Sequence, residues 1–444
     1  DINTVTGIYD FIKACEPLHI KPLVGIDFRN KGKQLYVGLA KNNEGLAEMN
    51  RLVTRHNFEN SSLPSQAPHF KNVFVIYPFD SVPDELQENE FIGIAAEQLP
   101  KLYNPKWKNS MHKMVIMQTV TYRLKEEFSL HKILRAIDLN IIGTKLTQAD
   151  YCKVSDVMIP LESLMAKFED YPIIIQNTEK IIGACNLHCD FNTPKNKRHY
   201  RADRQQDIEL LTQLAHQGMI RRYGSDNSEA LKRVEKELKV IDELEFSGYF
   251  LITWDIVQFS ISQGFLHIGR GSGANSIIAY CLGITDICPL ELDLYFERFL
   301  NLNRKTPPDF DIDWSWRERD TILKYIFEKY GDDHVAFCGT NVEFKYRSIF
   351  REVGKVFGLP KEELDQLAKN PTQQHHKNEV VRMVQKYGKM LGKYPNQRSM
   401  HSCGIIISEE PITNYTALEM PPKGFPILQF DMHTAEEIGF DKFD

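Results

Sequence analysis

The sequence predicts an α/β protein with several domains, and three observations support that fold class. The chain has 444 residues, which corresponds to two to four domains at about 100–200 residues each. Hydrophobic residues make up 42% and charged residues 26%, values that exclude disordered, collagen-like and fibrous proteins. Strand-like and helical patterns alternate along the first part of the chain and return in a different order later.

The first part alternates helix and strand up to about residue 175. The apolar spacing predicts helices over 8–14 and 45–56 and strands over 20–27 and 34–40. This alternation is typical of an α/β domain.

The second part is mainly helical and then returns to strands. The segment 316–330 places Ile322, Tyr325, Ile326 and Tyr330 on one helix face. The predicted elements are helices over 205–222, 228–245, 251–262 and 316–330, a glycine-rich turn followed by a short helix, a strand that ends near Trp314, and strands over 404–408 and 427–431.

The sequence indicates a reduced, cytoplasmic protein that does not cross a membrane. No apolar run approaches the roughly 20 residues that span a bilayer. Eight cysteines are scattered along the chain, as expected in a reducing compartment. Cys185, His188 and Cys189 lie close together, but no second ligand pair follows at zinc spacing, so a zinc site and a buried turn both remain open.

The charge distribution suggests a surface that binds phosphates. The chain carries a net charge of −6, yet residues 341–400 hold twelve basic and six acidic side chains. The net charge of that window is therefore +6, which leaves a net charge of −12 on the rest of the chain. A basic patch of this kind is typical of a nucleic-acid footprint, although a solvated helical surface would have the same composition.

Alternating aspartates make residues 308–314, PDFDIDW, the most informative segment. On a strand, Phe310, Ile312 and Trp314 share one face and the three aspartates, Asp309, Asp311 and Asp313, share the other. Strands are depleted in aspartate, and aligned carboxylates repel unless a cation compensates them. The pattern favours Mg²⁺ ligands over a solvated polar face, and two-metal phosphoryl transfer is the chemistry that uses them.

A glycine-rich segment, residues 269–276 (GRGSGANS), precedes a short apolar helix. Backbone N–H groups and a helix N-terminus can together form an anion cradle, and a tight turn is the alternative. The segment fits neither a P-loop nor a dinucleotide-binding fingerprint. With the aspartate strand, it indicates a site for a nucleoside triphosphate and metals. The charged residues Lys442 and Asp444 could complete such a site, or be merely a charged chain end.

Further motifs follow one another in a fixed order. They are residues 269–276, 283–286, 296–301 and 308–313, then Gly339 and Thr340, the helix with Arg347, Arg351 and Gly354, and residues 401–404, HSCG. Together these motifs resemble the palm of bacterial C-family DNA polymerases, the family of the DNA polymerase III alpha subunit, and the resemblance covers about residues 180–444. The N-terminal strand at 20–27 resembles, less strongly, the family's PHP domain.

The resemblance implies a site and a domain plan. Asp311, Asp313 and Asp444 match the three carboxylates that bind two Mg²⁺ ions. Arg270, Gly271 and Ser272 match the triphosphate-binding turn, and Lys442 matches the lysine before the third aspartate. The implied fold is a partial PHP-like α/β domain over 1–175, then a polymerase beta-like nucleotidyltransferase palm over 176–341 and 399–444, with an inserted helical thumb over 342–398.

The implied function is DNA-templated DNA synthesis, with primer–template DNA and dNTP as substrates. In the complete protein the resemblance also implies the sliding clamp and other replisome subunits as partners. Two alternatives are a catalytically inactive DNA-binding fragment and a PHP-type metal phosphoesterase. Few metal-ligating residues remain in the PHP-like part, where Asp27 stands nearly alone.

The two ends of the chain lead to a further expectation. The chain begins at Asp1 and ends at Asp444, which suggests an internal piece of a longer protein. A frayed end would leave Asp444 poorly placed. The piece alone would then bind Mg²⁺ weakly and would not extend a primer.

Overall fold

The computed structural model describes residues 1–301, 310–369, 378–392 and 394–444. Asp309, named above, and Lys393, a lysine of the basic window 341–400, lie outside this described part. The chain forms two compact units, one of residues 1–188 with 341–399 and the other of residues 189–340 with 400–444.

The described residues form a succession of helices and strands, with long all-helical stretches from α3 to α8 and from α11 to α13. The helices are α1 (Ile8–Cys15), α2 (Asn43–Glu59), α3 (Glu127–Asp138), α4 (Leu161–Lys167), α5 (Pro172–Ala184), α6 (Arg204–Tyr223), α7 (Ser228–Glu243), α8 (Ser247–Ser262), α9 (Ile277–Leu282), α10 (Arg319–Tyr330), α11 (Tyr346–Val356), α12 (Lys361–Lys369), α13 (Glu379–Met390) and α14 (Met432–Glu437). The strands are β1 (Gly25–Asn30), β2 (Lys33–Ala40), β3 (Val73–Pro78), β4 (Glu90–Ile94), β5 (Met114–Ile116), β6 (His267–Arg270), β7 (Asp311–Trp314), β8 (Val335–Glu343), β9 (Pro395–Ile407), β10 (Leu418–Glu419) and β11 (Ile427–Asp431).

The first unit is built on a mixed sheet in the order β1-β2-β3-β4-β5. The first three strands pair antiparallel, and β3, β4 and β5 pair parallel. Asp27 on β1 is held by Arg29 at 2.6 Å and by the Gln34 amide at 3.0 Å.

Helices α11 to α13 belong to this first unit because they share a core with α3. Leu130 and Ile133 of α3 pack in one buried cluster with Phe350, Val353 and Val384. Burying such side chains contributes roughly 1.5–3 kcal/mol each.

The second unit holds two sheets and two apolar clusters. Helices α6 to α9 bury one cluster with Phe310, and α8 and α10 pack against the β10-β11-β8-β9 sheet in the other. A separate two-stranded sheet joins β6 to β7. None of the helices that the structure describes is long and apolar enough to cross a bilayer.

The predicted α/β multidomain class is confirmed, and the helix and strand assignments need small corrections. The strand expected over 20–27 begins only at Gly25, since Pro22 has no N–H to donate to a neighbouring strand. Helix α8 begins at Ser247, four residues before the predicted start. The strand expected over 404–408 is the end of the longer β9.

Candidate functional site

Strand β7 carries two of the predicted metal ligands beside the glycine-rich segment. It pairs antiparallel with β6, so that Arg270 lies opposite Asp311 and Ile268 lies opposite Asp313. Phe310, just before β7, is buried among the core aromatic rings. The alternation therefore leaves Asp311 and Asp313 together on the other face, as predicted, with side chains 29% and 55% exposed.

Arg270 binds both carboxylates. Its Nε donates to Asp313 Oδ2 at 2.6 Å, and its Nη1 donates to Asp311 Oδ2 at 3.3 Å. These contacts raise the pKa of Arg270, first through the hydrogen bond to Asp313 and then through the charges of both aspartates. The guanidinium thus occupies the position of a counter-cation for two like charges.

Gly271 touches Asp311 and could not carry a side chain without moving it. Its φ of +75° is a backbone conformation that L residues rarely adopt, and an added Cβ would lie 2.6 Å from Asp311 Oδ2. Ser272, the next residue, is half-buried within the short 3-10 turn Gly271–Asn275. The glycine-rich segment and the aspartate strand are therefore in direct contact.

The start of α9 does not contribute to an anion cradle, contrary to the expectation from the sequence. Ser276 caps the helix by accepting from the Ala279 N–H at 3.2 Å. The buried Glu237 carboxylate accepts from the Ser276 hydroxyl at 2.8 Å and from the Ile278 N–H at 3.4 Å. These groups already satisfy the donors that a phosphate would need, so only the turn before them remains available.

Glu237 is itself held by an arginine. Arg233 Nε donates to Glu237 Oε1 at 2.7 Å, and Arg233 also donates to the Leu294 carbonyl at 2.9 Å. Burial raises the pKa of Glu237 to about 7, against the lowering effect of its hydrogen bonds from Arg233 and Ser276.

Asp444 lies beside β7 and is tied down, so the expectation of a frayed end is wrong. The Ile312 N–H donates to the main-chain oxygen of Asp444 at 3.2 Å. Phe443 and Ile405 exchange two main-chain hydrogen bonds of 2.8 and 2.9 Å. Lys442 Nζ pairs with Asp444 Oδ2. Sequence reasoning missed this because β9 supplies a partner strand that local patterns do not show.

An aromatic stack links the two segments that carry the aspartates. The Tyr249 ring on α8 stacks on Phe310, with centroids 5.7 Å apart, and on Phe443, with centroids 4.7 Å apart. Phe310 directly precedes Asp311, and Phe443 directly precedes Asp444. Tyr249 therefore contacts the chain immediately before each of these ligands.

Two of the three predicted carboxylates line a small cavity, and the three do not converge on one point. Asp313 and Asp444 line a cavity of about 180 Å³ together with Arg319 and Cys403. Within the described residues, the one group of potential metal ligands whose atoms all lie within 4.8 Å of one another is His401, Cys403 and Asp444. The sequence had placed His401 and Cys403 in a family motif but assigned them no role, because nothing local showed that they reach Asp444.

The donor atoms at this site fit divalent cations. Carboxylate oxygens are the ligands that Mg²⁺ prefers. Asp444 Oδ1 is buried without a hydrogen-bond partner among the described residues, and such an atom is costly unless something binds it. The cationic groups of Arg270 and Lys442 now compensate the charges that bound cations would neutralise.

Comparisons with known proteins connect this site to a family. Residues 209–444 match the family model described as the bacterial DNA polymerase III alpha NTPase domain. The error-prone DNA polymerase of Symbiobacterium thermophilum is 33% identical over 74% of this chain and 32% of its own length. The DNA polymerase III subunit alpha of Ureaplasma parvum is 28% identical over 100% of this chain and 46% of its own length.

A third relative, the DNA polymerase III subunit alpha of Bacillus subtilis, is 32% identical over 73% of this chain and 31% of its own length. The chain thus spans less than half the length of these curated relatives. Asp311, Asp313, Asp444 and the glycine-rich turn beside them all lie within the matched range 209–444.

Proposed function

Because the chain belongs to the bacterial DNA polymerase III alpha family, we propose that it carries the metal-binding centre of a DNA-templated DNA polymerase. The reaction is nucleotidyl transfer from a dNTP to a primer 3′-hydroxyl. The primer oxygen forms a bond to the α-phosphorus, and the bond from that phosphorus to pyrophosphate breaks.

The observation that carries this proposal is the geometry of β7. Asp311 and Asp313 share one strand face, Arg270 bridges them, and the Ile312 N–H between them binds the main chain of Asp444. Three carboxylates from two chain segments are thereby held beside a glycine-rich turn.

We assign the hard oxygen ligands for two Mg²⁺ ions to Asp311, Asp313 and Asp444. Bound there, the ions would activate the primer hydroxyl and stabilise the charge of the leaving pyrophosphate. Lys442 orients Asp444 through its contact with Oδ2.

Arg270 has a second role in this proposal. Once cations neutralise Asp311 and Asp313, its guanidinium is released to bind triphosphate oxygens, together with the Gly271 N–H and the Ser272 hydroxyl. Arginine is suited to this exchange because its fork of N–H donors fits carboxylates and phosphates alike.

We propose a palm formed by 176–341 and 399–444, a thumb over 342–398 that grips duplex phosphates, and a PHP-like domain over 1–175. The compact units support a palm interrupted by an insertion, since they change at 340/341 and at 399/400. Primer–template DNA and dNTP are the proposed substrates.

The test is primer extension by the complete polymerase carrying Asp313→Asn. We expect the rate of incorporation to fall at least about a hundredfold, because the loss of one preorganised electrostatic group costs roughly 10²–10³. The exposed Asp320→Asn on α10 is the matched control and should keep the parent rate.

Binding of Mn²⁺ to the chain, measured by calorimetry, should weaken in Asp313→Asn and not in Asp320→Asn. An Asp313→Asn polymerase that keeps more than a hundredth of the parent rate would refute the assignment. A protein that binds primer–template but shows no incorporation even with Asp313 intact would instead favour the inactive DNA-binding alternative.

A further inference from the structure

Three side chains of different chemistry meet at the edge of the proposed catalytic centre. The ligand atoms of His401, Cys403 and Asp444 all lie within 4.8 Å of one another. Tetrahedral Zn²⁺ with bonds of 2.0–2.3 Å brings its ligands to about 3.5 Å from one another. Cys403 is exposed and His401 is half-exposed. Modest rotations of these two side chains would therefore bring the ligand atoms from within 4.8 Å to about 3.5 Å of one another.

The space between these side chains is kept open by Gly404. A Cβ at Gly404 would lie 3.1 Å from His401 Nδ1 and 3.5 Å from Asp444 Oδ1. Both atoms therefore border the same space beside the Gly404 backbone.

Both atoms carry a lone pair, and that of His401 Nδ1 is engaged by the main-chain N–H groups of Cys403 and Gly404. His401 Nδ1 accepts a hydrogen bond from the Gly404 N–H at 2.9 Å, which places the proton of the neutral ring on Nε2. Asp444 Oδ2 is engaged by Lys442, whereas Oδ1 is buried and has no hydrogen-bond partner among the described residues.

We propose that His401, Cys403 and Asp444 form a binding site for a thiophilic divalent cation of the Zn²⁺ class. A thiolate and an imidazole select such ions over Mg²⁺, which takes oxygen ligands. When the metal binds, the Cys403 thiol loses its proton to solvent. His401 Nδ1 gives up its hydrogen bond from the Gly404 N–H and coordinates the metal instead. Three protein ligands leave a fourth position open to solvent on the exposed Cys403 side.

The site shares Asp444 with the proposed polymerase centre. The sharing has a regulatory consequence, inhibition by Zn²⁺, which rests on the proposed function. A Zn²⁺ ion that holds Asp444 Oδ1 removes one ligand from the Mg²⁺ pair. Zn²⁺ then inhibits the polymerase. This inhibition requires the Cys403 sulfur, which is not one of the proposed Mg²⁺ ligands.

The site is tested by titrating the chain with Co²⁺, a spectroscopic substitute for Zn²⁺. We expect thiolate-to-cobalt charge-transfer absorption that saturates at one ion per chain and is displaced by Zn²⁺. Cys403→Ala should abolish this absorption and weaken Zn²⁺ binding at least about tenfold, since even the loss of outer-shell partners costs 10–100-fold. Asp313→Asn should leave the absorption unchanged, which separates this test from that of the proposed function.

Cys189→Ser is the matched control, because Cys185, His188 and Cys189 form another grouping of cysteine and histidine in the sequence. The Cys189→Ser variant should keep the thiolate-to-cobalt absorption. The inference is overturned if Co²⁺ gives no thiolate absorption, if Cys189→Ser removes it, or if Cys403→Ala binds Zn²⁺ as the parent does. In the complete polymerase, Cys403→Ala should lose inhibition by Zn²⁺.

Discussion

A methyl group at Gly271 should disable the site while barely affecting the fold. In Gly271→Ala the new Cβ lies 2.6 Å from Asp311 Oδ2, which is 0.8 Å short of an ordinary contact of 3.4 Å. The carboxylate must move by about that amount and loosen its 3.3 Å contact with Arg270. A misplacement of about 1 Å costs roughly a hundredfold in rate, so incorporation by the complete polymerase should fall about that much.

The control for this variant is Gly283→Ala, because Gly283 has a φ of +76° and nothing within 4 Å of an added Cβ. Both variants should lose about 1–2 kcal/mol in the free energy of unfolding from the left-handed backbone alone. Urea unfolding followed by tryptophan fluorescence measures this loss, since Trp254, Trp314 and Trp316 all lie in the second unit. Equal Mn²⁺ affinity and equal primer extension in the two variants would refute the contact between Gly271 and Asp311.

Two further predictions concern a buried acid and an exposed basic helix. Because the pKa of Glu237 is raised from 4.5 to about 7 in the folded chain, its stabilising contribution is complete below pH 4.5. As the pH rises from 4.5 to 7, the free energy of unfolding therefore falls by about 3 kcal/mol, because the carboxyl ionises more readily in the unfolded chain. Glu237→Gln should remove this slope from urea unfolding measured between pH 4.5 and 7.5, and an unchanged slope would contradict the assignment. Lys386 and Lys389 are exposed one turn apart on α13, so replacing both with Ala should flatten the log–log salt dependence of duplex binding by about 1.8. Lys355→Ala, which removes a lysine paired with an acid on its own helix, should leave the salt dependence unchanged, and equal slopes in all three proteins would show that α13 does not bind phosphates.

Periodicity located most elements of the second unit because their apolar faces are local patterns. Helices α6 and α7 fall within two residues of their predicted bounds at each end, and β7 ends at Trp314 as predicted. The shared face of Asp311 and Asp313 was predictable for the same reason, since alternation along a strand is set by the pleat alone.

Contacts between distant segments were not predictable from one sequence. Nothing in residues 440–444 shows that Phe443 pairs with Ile405, so Asp444 was expected to fray. Glu237 is about forty residues before α9 and occupies its N-terminal donors, which no local motif signals. Cys403 becomes a candidate metal ligand only because β9 brings it close to Asp444.

The stack of Phe310, Tyr249 and Phe443 ties two of the candidate carboxylates to the hydrophobic core. Each phenylalanine directly precedes a candidate ligand, and both phenylalanine rings stack on the Tyr249 ring. A change of ring size at any one of the three positions should therefore shift the chain next to Asp311 or Asp444. Selection for polymerase chemistry should therefore act on these apolar residues as a set, and substitutions at the three positions should be correlated among relatives even though none of them touches a substrate.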